Sequence, residues 1–420
     1  MASAGLWWRL RARTRRALRA RARRILGSDV AATRQALAAL LVTSAADLLA
    51  GLTLGSIQDT LAELPGLLVL VPAAIGMRGN IFGALGSRLG TAIHTGTFSV
   101  SRRPDTLVGQ NILASMALTL SVSAALALLA KAVSVAFGLA SISAFDFLVI
   151  SLVGGVLSSA VVLVITLFVA ARSVRSEWDM DNVAAPVVTA AGDLVTLPAL
   201  FLATYLVGIP GVTFVLGLVL GAASIVALVG ALRAGLPILR RIVAESLPVL
   251  VVAGIIDVVA GVTIEKRLDT FLALPALLVL VPLFLQDTGA LGGILAARLS
   301  SKLHLGLIDP VAKPQRAARD DFLLVFVLAV PVFVLVALSV DLVAFAFGLA
   351  SPGPVRMVAI SLVGGLLAMG TCLIVTYYGA IAAYRFGLDP DSHGIPMVTS
   401  SMDLLGTVSL VFAIVLVGLT

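Results

Sequence analysis

The chain has little charge and almost no cysteine or histidine. Of its 420 residues, 12% are charged, against about 25% in soluble domains. The single cysteine, Cys372, excludes a disulfide framework and a cysteine-rich metal site, and three histidines poorly supply a zinc or haem centre. Hydrophobic residues make up 60%. Because so few polar side chains could cover a surface in water, a soluble enzyme, a disordered chain and a nucleic-acid-binding domain are excluded, and we expect an all-α polytopic membrane protein.

The net charge of +7 comes mainly from the start of the chain. Residues 1–24 contain nine arginines and no acidic residue. No apolar run follows them closely enough for a secretory signal. A basic stretch can bind nucleic acid, but beside a membrane helix it more often lies on anionic lipid headgroups and marks the cytoplasmic side. We therefore expect contact with anionic lipid headgroups and no nucleic-acid partner.

Apolar runs recur along the chain at the length of about 20 residues that a helix needs to cross a bilayer. The eleven candidate crossings are 35–56, 61–81, 108–131, 146–171, 183–207, 212–232, 242–263, 271–296, 321–346, 356–382 and 394–418. Arginine and lysine concentrate in alternate loops, which by the positive-inside rule places the N-terminus in the cytoplasm and the C-terminus outside. We expect a multi-pass protein of the plasma membrane.

The chain repeats itself at an offset of 210 residues. Leu64–Pro72 matches Leu274–Pro282 at eight of nine positions, and Ala136–Ser141 recurs unchanged at 346–351. Single polar positions keep the same offset: Asp47 with Asp257, Arg88 with Arg298, His94 with His304, and Asp193 with Asp403. We predict a basic N-terminal segment 1–30, a first five-helix repeat 31–208, a linker transmembrane helix 209–240 and a second five-helix repeat 241–420.

The number of crossings predicts how the two copies are related. Six predicted crossings separate equivalent points of the copies, and because six is even the copies would face the same way. We therefore expect a pseudo-two-fold axis along the membrane normal. Transporters built from repeats commonly bind their substrate between the repeats, near the middle of the membrane.

Asp193 and Asp403 are the clearest acidic pair inside the predicted membrane region. Each lies twelve residues beyond an acidic helix start, a rise of about 18 Å that reaches the middle of the bilayer. Thr189 and Thr399 share a helical face with these aspartates. Oxygen ligands of this kind suit a hard cation such as Mg²⁺, which carboxylates can hold through its water. The alternative is that each aspartate pairs with an arginine or caps a broken helix.

Asp47 and Asp257 form a second pair, on the first helix of each copy. They could extend the ion pathway or form salt bridges to Arg88 and Arg298, and the sequence leaves both interpretations open. A carboxylate in the membrane is costly, so either role would be a specific one.

Two further aspartates, Asp181 and Asp391, lie at the cytoplasmic starts of the last helices. Acidic residues at a helix start commonly cap the free backbone N–H groups. They could also form an acidic cytoplasmic mouth of the pathway, and the two roles are compatible.

Two motifs in each copy resemble those of a known family. Val71–Asn80, continuing to Ser87–Thr91, resembles the Pro…Gly-Asn…Ser-Arg-Leu-x-Thr segment of the MgtE superfamily. Asp179–Asp193 resembles its Asp-x-Asp-Asn…Pro…Gly-Asp-Leu segment, and Asp389–Asp403 is the second copy's version. The resemblance covers nearly the whole chain after residue 30. It is strongest to the two-copy members, the solute carrier family 41 magnesium transporters.

The resemblance implies a divalent-cation pathway at the interface of two five-helix units, with Asp193 and Asp403 at the ion. Single-copy relatives build the pore from a homodimer, so this chain resembles a dimer fused by the linker helix and working as a single pseudo-dimer. Asn80 matches the family's Gly-Asn, but copy two has alanine there, so a role for this amide would be one-sided. Asp287 occurs only in copy two and adds a carboxylate without a partner in copy one.

The sequence therefore predicts a transporter and not an enzyme. The transported ion would be Mg²⁺, with Mn²⁺ or Co²⁺ as other candidates. One alternative is a proton-coupled secondary transporter that moves another small substrate with the same aspartates. Another, an intramembrane hydrolase with two catalytic aspartates, is disfavoured because the flanking residues resemble no protease motif.

Overall fold

The computed structural model describes residues 30–99, 101, 103–176, 180–387 and 395–419, and in this part of the chain all regular structure is helical. The helices are α1 (Val30–Ser56), α2 (Gln58–Glu63), α3 (Leu67–His94), α4 (Leu107–Ala136), α5 (Ala144–Ser176), α6 (Met180–Thr204), α7 (Val212–Arg233), α8 (Pro237–Glu265), α9 (Leu268–Ala273), α10 (Ala276–His304), α11 (Arg316–Phe347), α12 (Pro354–Phe386) and α13 (Ile395–Leu416). The arginine-rich segment lies outside the described residues.

Ten of the described helices are long and apolar enough to cross a membrane: α3 to α8 and α10 to α13. The eleventh predicted crossing, 35–56, falls on α1, whose side chains are described from Thr43 onward. The predicted all-α polytopic architecture is confirmed.

The helices follow the offset seen in the sequence. The short helices α2 and α9 are 210 residues apart at both ends, and so are the long helices α5 and α12. Between the two sets lies α7, which packs on α4, α5 and α8. The predicted domain limits at residues 30, 208 and 240, and the shared orientation of the copies, stay predictions.

Two predicted crossings, 61–81 and 271–296, are displaced. In copy one the chain forms the short α2 and then turns at Gly66, whose φ of +84° favours glycine, before α3 continues to His94. Copy two also forms a short helix, α9, before α10, but α10 begins at Ala276, the position equivalent to Gly66. The sequence predicts that the first of these crossings ends near the polar residues of α3. In the structure the helix continues past them, and α3 and α10 are the most enclosed of the ten membrane-length helices. Protein therefore surrounds polar side chains that lipid would reject.

The first helix of each copy packs against the other copy. Helix α1 lies between α6 of its own copy and α10 of copy two, and α8 lies between α13 of its own copy and α3 of copy one. The two halves are therefore interlocked. The main contacts between the copies are those of α1 with α10 and of α8 with α3 and α4.

Two glycines at equivalent positions allow α1 and α8 to pack closely against the other copy. A methyl group at Gly51 on α1 would overlap the backbone carbonyl of Val279 on α10. A methyl group at Gly261 on α8 would overlap the carbonyl of Val69 on α3. Close approach at small residues is typical of helix packing in membranes, because no hydrophobic effect drives helices together there and close van der Waals packing is needed instead.

We expect Gly51→Ala and Gly261→Ala each to lower the free energy of unfolding by about 1–3 kcal/mol, because the added methyl forces the two halves apart. Thermal unfolding of the detergent-solubilised protein measures the effect. Gly230→Ala on α7 is the matched control, since a methyl there meets nothing within 4 Å. Equal melting temperatures for all three variants would contradict the proposed packing role.

Candidate cation site

The first acidic pair lies within copy one. Asp193 on α6 and Asp47 on α1 face each other through their carboxyl groups. Both are buried, with exposed fractions of 3% and 0%. They meet because α1 and α6 pack side by side. Thr189, one helical turn before Asp193, is half-buried on the same face.

Copy two forms the equivalent pair. Asp257 on α8 faces Asp403 on α13, and Ser400 lies beside Asp257. Gly76 of copy one closes this pair: a methyl group there would lie 2.9 Å from Oδ2 of Asp257 and 3.6 Å from Oδ2 of Asp403. A side chain at Gly76 would therefore intrude on both carboxyl groups. Asp257 is buried and Asp403 is half-buried.

The two pairs belong to one cluster. Asp193 and Asp403 are within electrostatic range of each other, although they belong to different halves. Asp287 on α10 is within electrostatic range of Asp47. Its Oδ1 accepts a hydrogen bond of 2.8 Å from the hydroxyl of Ser44 on α1. Five carboxylates from both halves thus share one buried region.

Most of these carboxylates have buried oxygens that no hydrogen-bond donor contacts. They are both oxygens of Asp47, Oδ2 of Asp193, Oδ1 of Asp257 and Oδ2 of Asp287. A buried charge is costly unless it is paired or coordinates a metal. The free oxygens are therefore the strongest chemical sign of a missing positive partner.

The donor set suits a hard divalent cation. The cluster offers carboxylate and hydroxyl oxygens, which Mg²⁺ prefers, and Cys372 is not among the residues that face it. Within the described residues, however, no three His, Cys, Asp or Glu side chains are placed to hold a metal ion together. An ion here would thus keep much of its water, as Mg²⁺ usually does, and the carboxylates would contact that water.

One of the two interpretations left open for the aspartates of α1 and α8 is wrong: they do not pair with Arg88 and Arg298. Arg88 Nε donates to Asn111 Oδ1 at 2.8 Å. Arg298 Nε forms an ion pair of 2.8 Å with Asp321, which also contacts Lys302. Both arginines instead tie the end of a long helix to the next helix. No ion pair between an arginine and the last-helix aspartates occurs among the described residues either.

The other predicted site residues lie around the cluster or outside the described part. Asn80 is half-buried on α3, next to Gly79, whose α-carbon faces Thr189. Thr399 is half-buried on α13. Asp181 belongs to the first turn of α6, but its side chain lies outside the described residues, and so does the whole of Asp391.

Three residues of the cluster were missed by the sequence interpretation. Ser44 precedes Asp47 by three residues, and Ser400 precedes Asp403 by three. This spacing puts each hydroxyl on the same helical face as its aspartate and could have identified both. Gly76 could not have been found in this way, because its role depends on how α3 meets the second half.

A family model matches both copies of the repeat. The family model MgtE, described as a divalent cation transporter, matches residues 71–203 and 281–413. The two matched ranges are 210 residues apart at both ends and together cover more than half of the chain. Each covers the membrane-length helices of one copy from α3 or α10 to the last helix. No solved structure matches the chain.

Curated relatives match over most of the chain. Solute carrier family 41 member 3 of Rattus norvegicus is 24% identical over 405 residues, which are 90% of this chain and 86% of the relative. Solute carrier family 41 member 2 of Gallus gallus is 26% identical over 407 residues, which are 85% of this chain and 65% of the relative. With both repeats matched by the family model, the chain belongs to the MgtE family of divalent cation transporters.

Proposed function

We propose that this chain carries Mg²⁺ across the membrane along a path between its two halves. The ion is held near mid-membrane by Asp193 and Asp403. The observation that carries this proposal is that carboxylates of the two halves lie within electrostatic range of one another, and that most of them have buried oxygens that no donor contacts. A divalent cation would supply the missing positive charge.

The remaining oxygens extend this path. Thr189, Thr399 and Asn80 line it near the ion, and Asp47, Asp257 and Asp287 surround the ion from the helices that cross between the halves. Asp181 and Asp391 form the acidic cytoplasmic mouth. The side chains of Asp181 and Asp391 lie outside the part of the chain that the structure describes.

A hydrated ion fits the donor set better than a bare one. Mg²⁺ gives up its water reluctantly and is usually held through it. Paired carboxylates without a third close ligand would attract such an ion and still release it, which conduction requires. Mn²⁺ and Co²⁺ are further candidates for transport, because they accept oxygen ligands as well.

We further propose that the protein functions as a fused pseudo-dimer in the plasma membrane, with its copies facing the same way, its N-terminus in the cytoplasm and its C-terminus outside. The arginine-rich N-terminal segment contacts anionic lipid headgroups. The names of the relatives, which are solute carriers, and of the family support a transport role.

A second candidate function uses the same aspartates for protons. Carboxylates inside a membrane protein can act as proton relays in transporters. The protein would then be a proton-coupled secondary transporter of another small substrate. The observation that favours this alternative is the close pairing of carboxyl groups, because two adjacent carboxyl groups can share one proton.

We expect Asp193→Asn and Asp403→Asn each to weaken Mg²⁺ uptake into proteoliposomes about tenfold or more, because each removes a charged ligand at the ion. A fluorescent Mg²⁺ indicator inside the vesicles reports the rate. Asp105→Asn in an exposed loop is the control and should match the parent chain. Unchanged uptake and unchanged ion affinity in both site variants would remove these aspartates from the pathway.

The dependence on protons separates the two candidate functions. We expect Mg²⁺ to enter proteoliposomes down its own gradient when the pH is equal on both sides. An imposed proton gradient should then change the rate little. A strict requirement for the proton gradient, or proton movement without Mg²⁺, would favour the secondary transporter.

A further inference from the structure

The two halves of the acidic cluster are chemically unequal. On the side where α1 meets α10, Asp47 is accompanied by Asp287 and by the hydroxyl of Ser44. On the opposite side, where α8 meets α3, the equivalent positions are Met77 and Gly254. Two carboxylates on one side therefore correspond to one on the other.

The opposite side is packed with apolar atoms. Met77 is buried, and a methyl group at Gly254 would overlap the side chain of Leu126. The hydroxyls on this side belong to Ser400, beside Asp257, and to Ser123, 4.0 Å from Sδ of Met77, and neither adds a second carboxylate. An ion displaced toward α3 and α8 would therefore meet Asp257 in place of both Asp47 and Asp287.

The next position along α3 and α10 also differs between the copies. Copy one has Arg78, which is fully buried, donates from Nε to Ser158 at 2.9 Å, and has an Nη2 atom without a partner. Copy two has Thr288, which is neutral and donates to the carbonyl of Phe284.

The unpaired oxygens point to the same side. Both carboxylate oxygens of Asp47 are buried without a donor, and so is Oδ2 of Asp287. Both residues have an exposed fraction of 0%. Asp257, the counterpart of Asp47, leaves only one buried oxygen without a partner.

We propose that a hydrated divalent cation binds off the pseudo-two-fold axis, where its water contacts the carboxylates of Asp47, Asp193 and Asp287, with Ser44 anchoring Asp287. Asp257 and Asp403 form the weaker subsite, which the ion occupies in passing. This inference rests on the proposed function, because it assigns unequal roles to aspartates that the transport proposal treats alike.

Mg²⁺ binding to the full-length protein in detergent, measured by isothermal titration calorimetry, tests the inference. Asp287→Asn keeps an oxygen for the hydroxyl of Ser44 but removes the charge, and we expect it to weaken binding about tenfold to a hundredfold. Asp47→Asn should weaken binding more than Asp257→Asn does. These last two variants are matched controls for each other, since they occupy equivalent positions in the two copies.

The outcomes separate this inference from the transport proposal. If Asp47→Asn and Asp257→Asn weaken binding equally and Asp287→Asn has no effect, the site is symmetric and the inference is wrong, while the transport proposal stands. If no variant of the five aspartates changes Mg²⁺ binding, both are wrong. Thermal unfolding of each variant verifies that a loss of binding is not a loss of folding.

Discussion

The arrangement depends on one electrostatic constraint: carboxylates buried inside a membrane protein need a positive partner. The cluster between the halves has five aspartates and, among the described residues, no cationic side chain bound to any of them. Burial without compensation would cost several kcal/mol for each ion in a protein. A cation that enters from water removes this cost, so the same feature that disfavours the empty site favours the occupied one.

The packing of α1 and α8 against the other copy brings these carboxylates together. Since α1 and α8 each cross to the other copy, their aspartates reach an interface that two separate bundles would not share. Gly51 and Gly261 allow backbone to touch backbone at the crossings, and Gly76 leaves space for the carboxyl groups of copy two. These glycines therefore contribute through the space that a side chain would otherwise fill. The contacts of α1 and α8 with the other copy also hold together groups that repel each other.

Much of this organisation was predictable from the sequence, because it depends on length, hydropathy and the internal offset. The all-α membrane architecture and the relation between Asp47 and Asp257, or Asp193 and Asp403, follow from repeated residues at fixed spacing. The limits of α3 and α10 could not be predicted from the sequence. Both helices contain polar residues that resemble the end of a membrane crossing unless the protein that surrounds them is known. The packing of the first helix of each copy against the other copy leaves no signal in a single sequence. For this reason Arg88 and Arg298 remained plausible partners for the aspartates until their contacts with Asn111 and Asp321 were seen.

The central claim is that a metal ion passes between carboxylates of the two halves. Its most direct test is a structure of the protein with Mn²⁺, determined at a wavelength where manganese scatters anomalously. The account predicts an anomalous peak within the aspartate cluster, among the helices α1, α6, α8, α10 and α13. A well-occupied peak elsewhere in the membrane region, with none in the cluster, would contradict it.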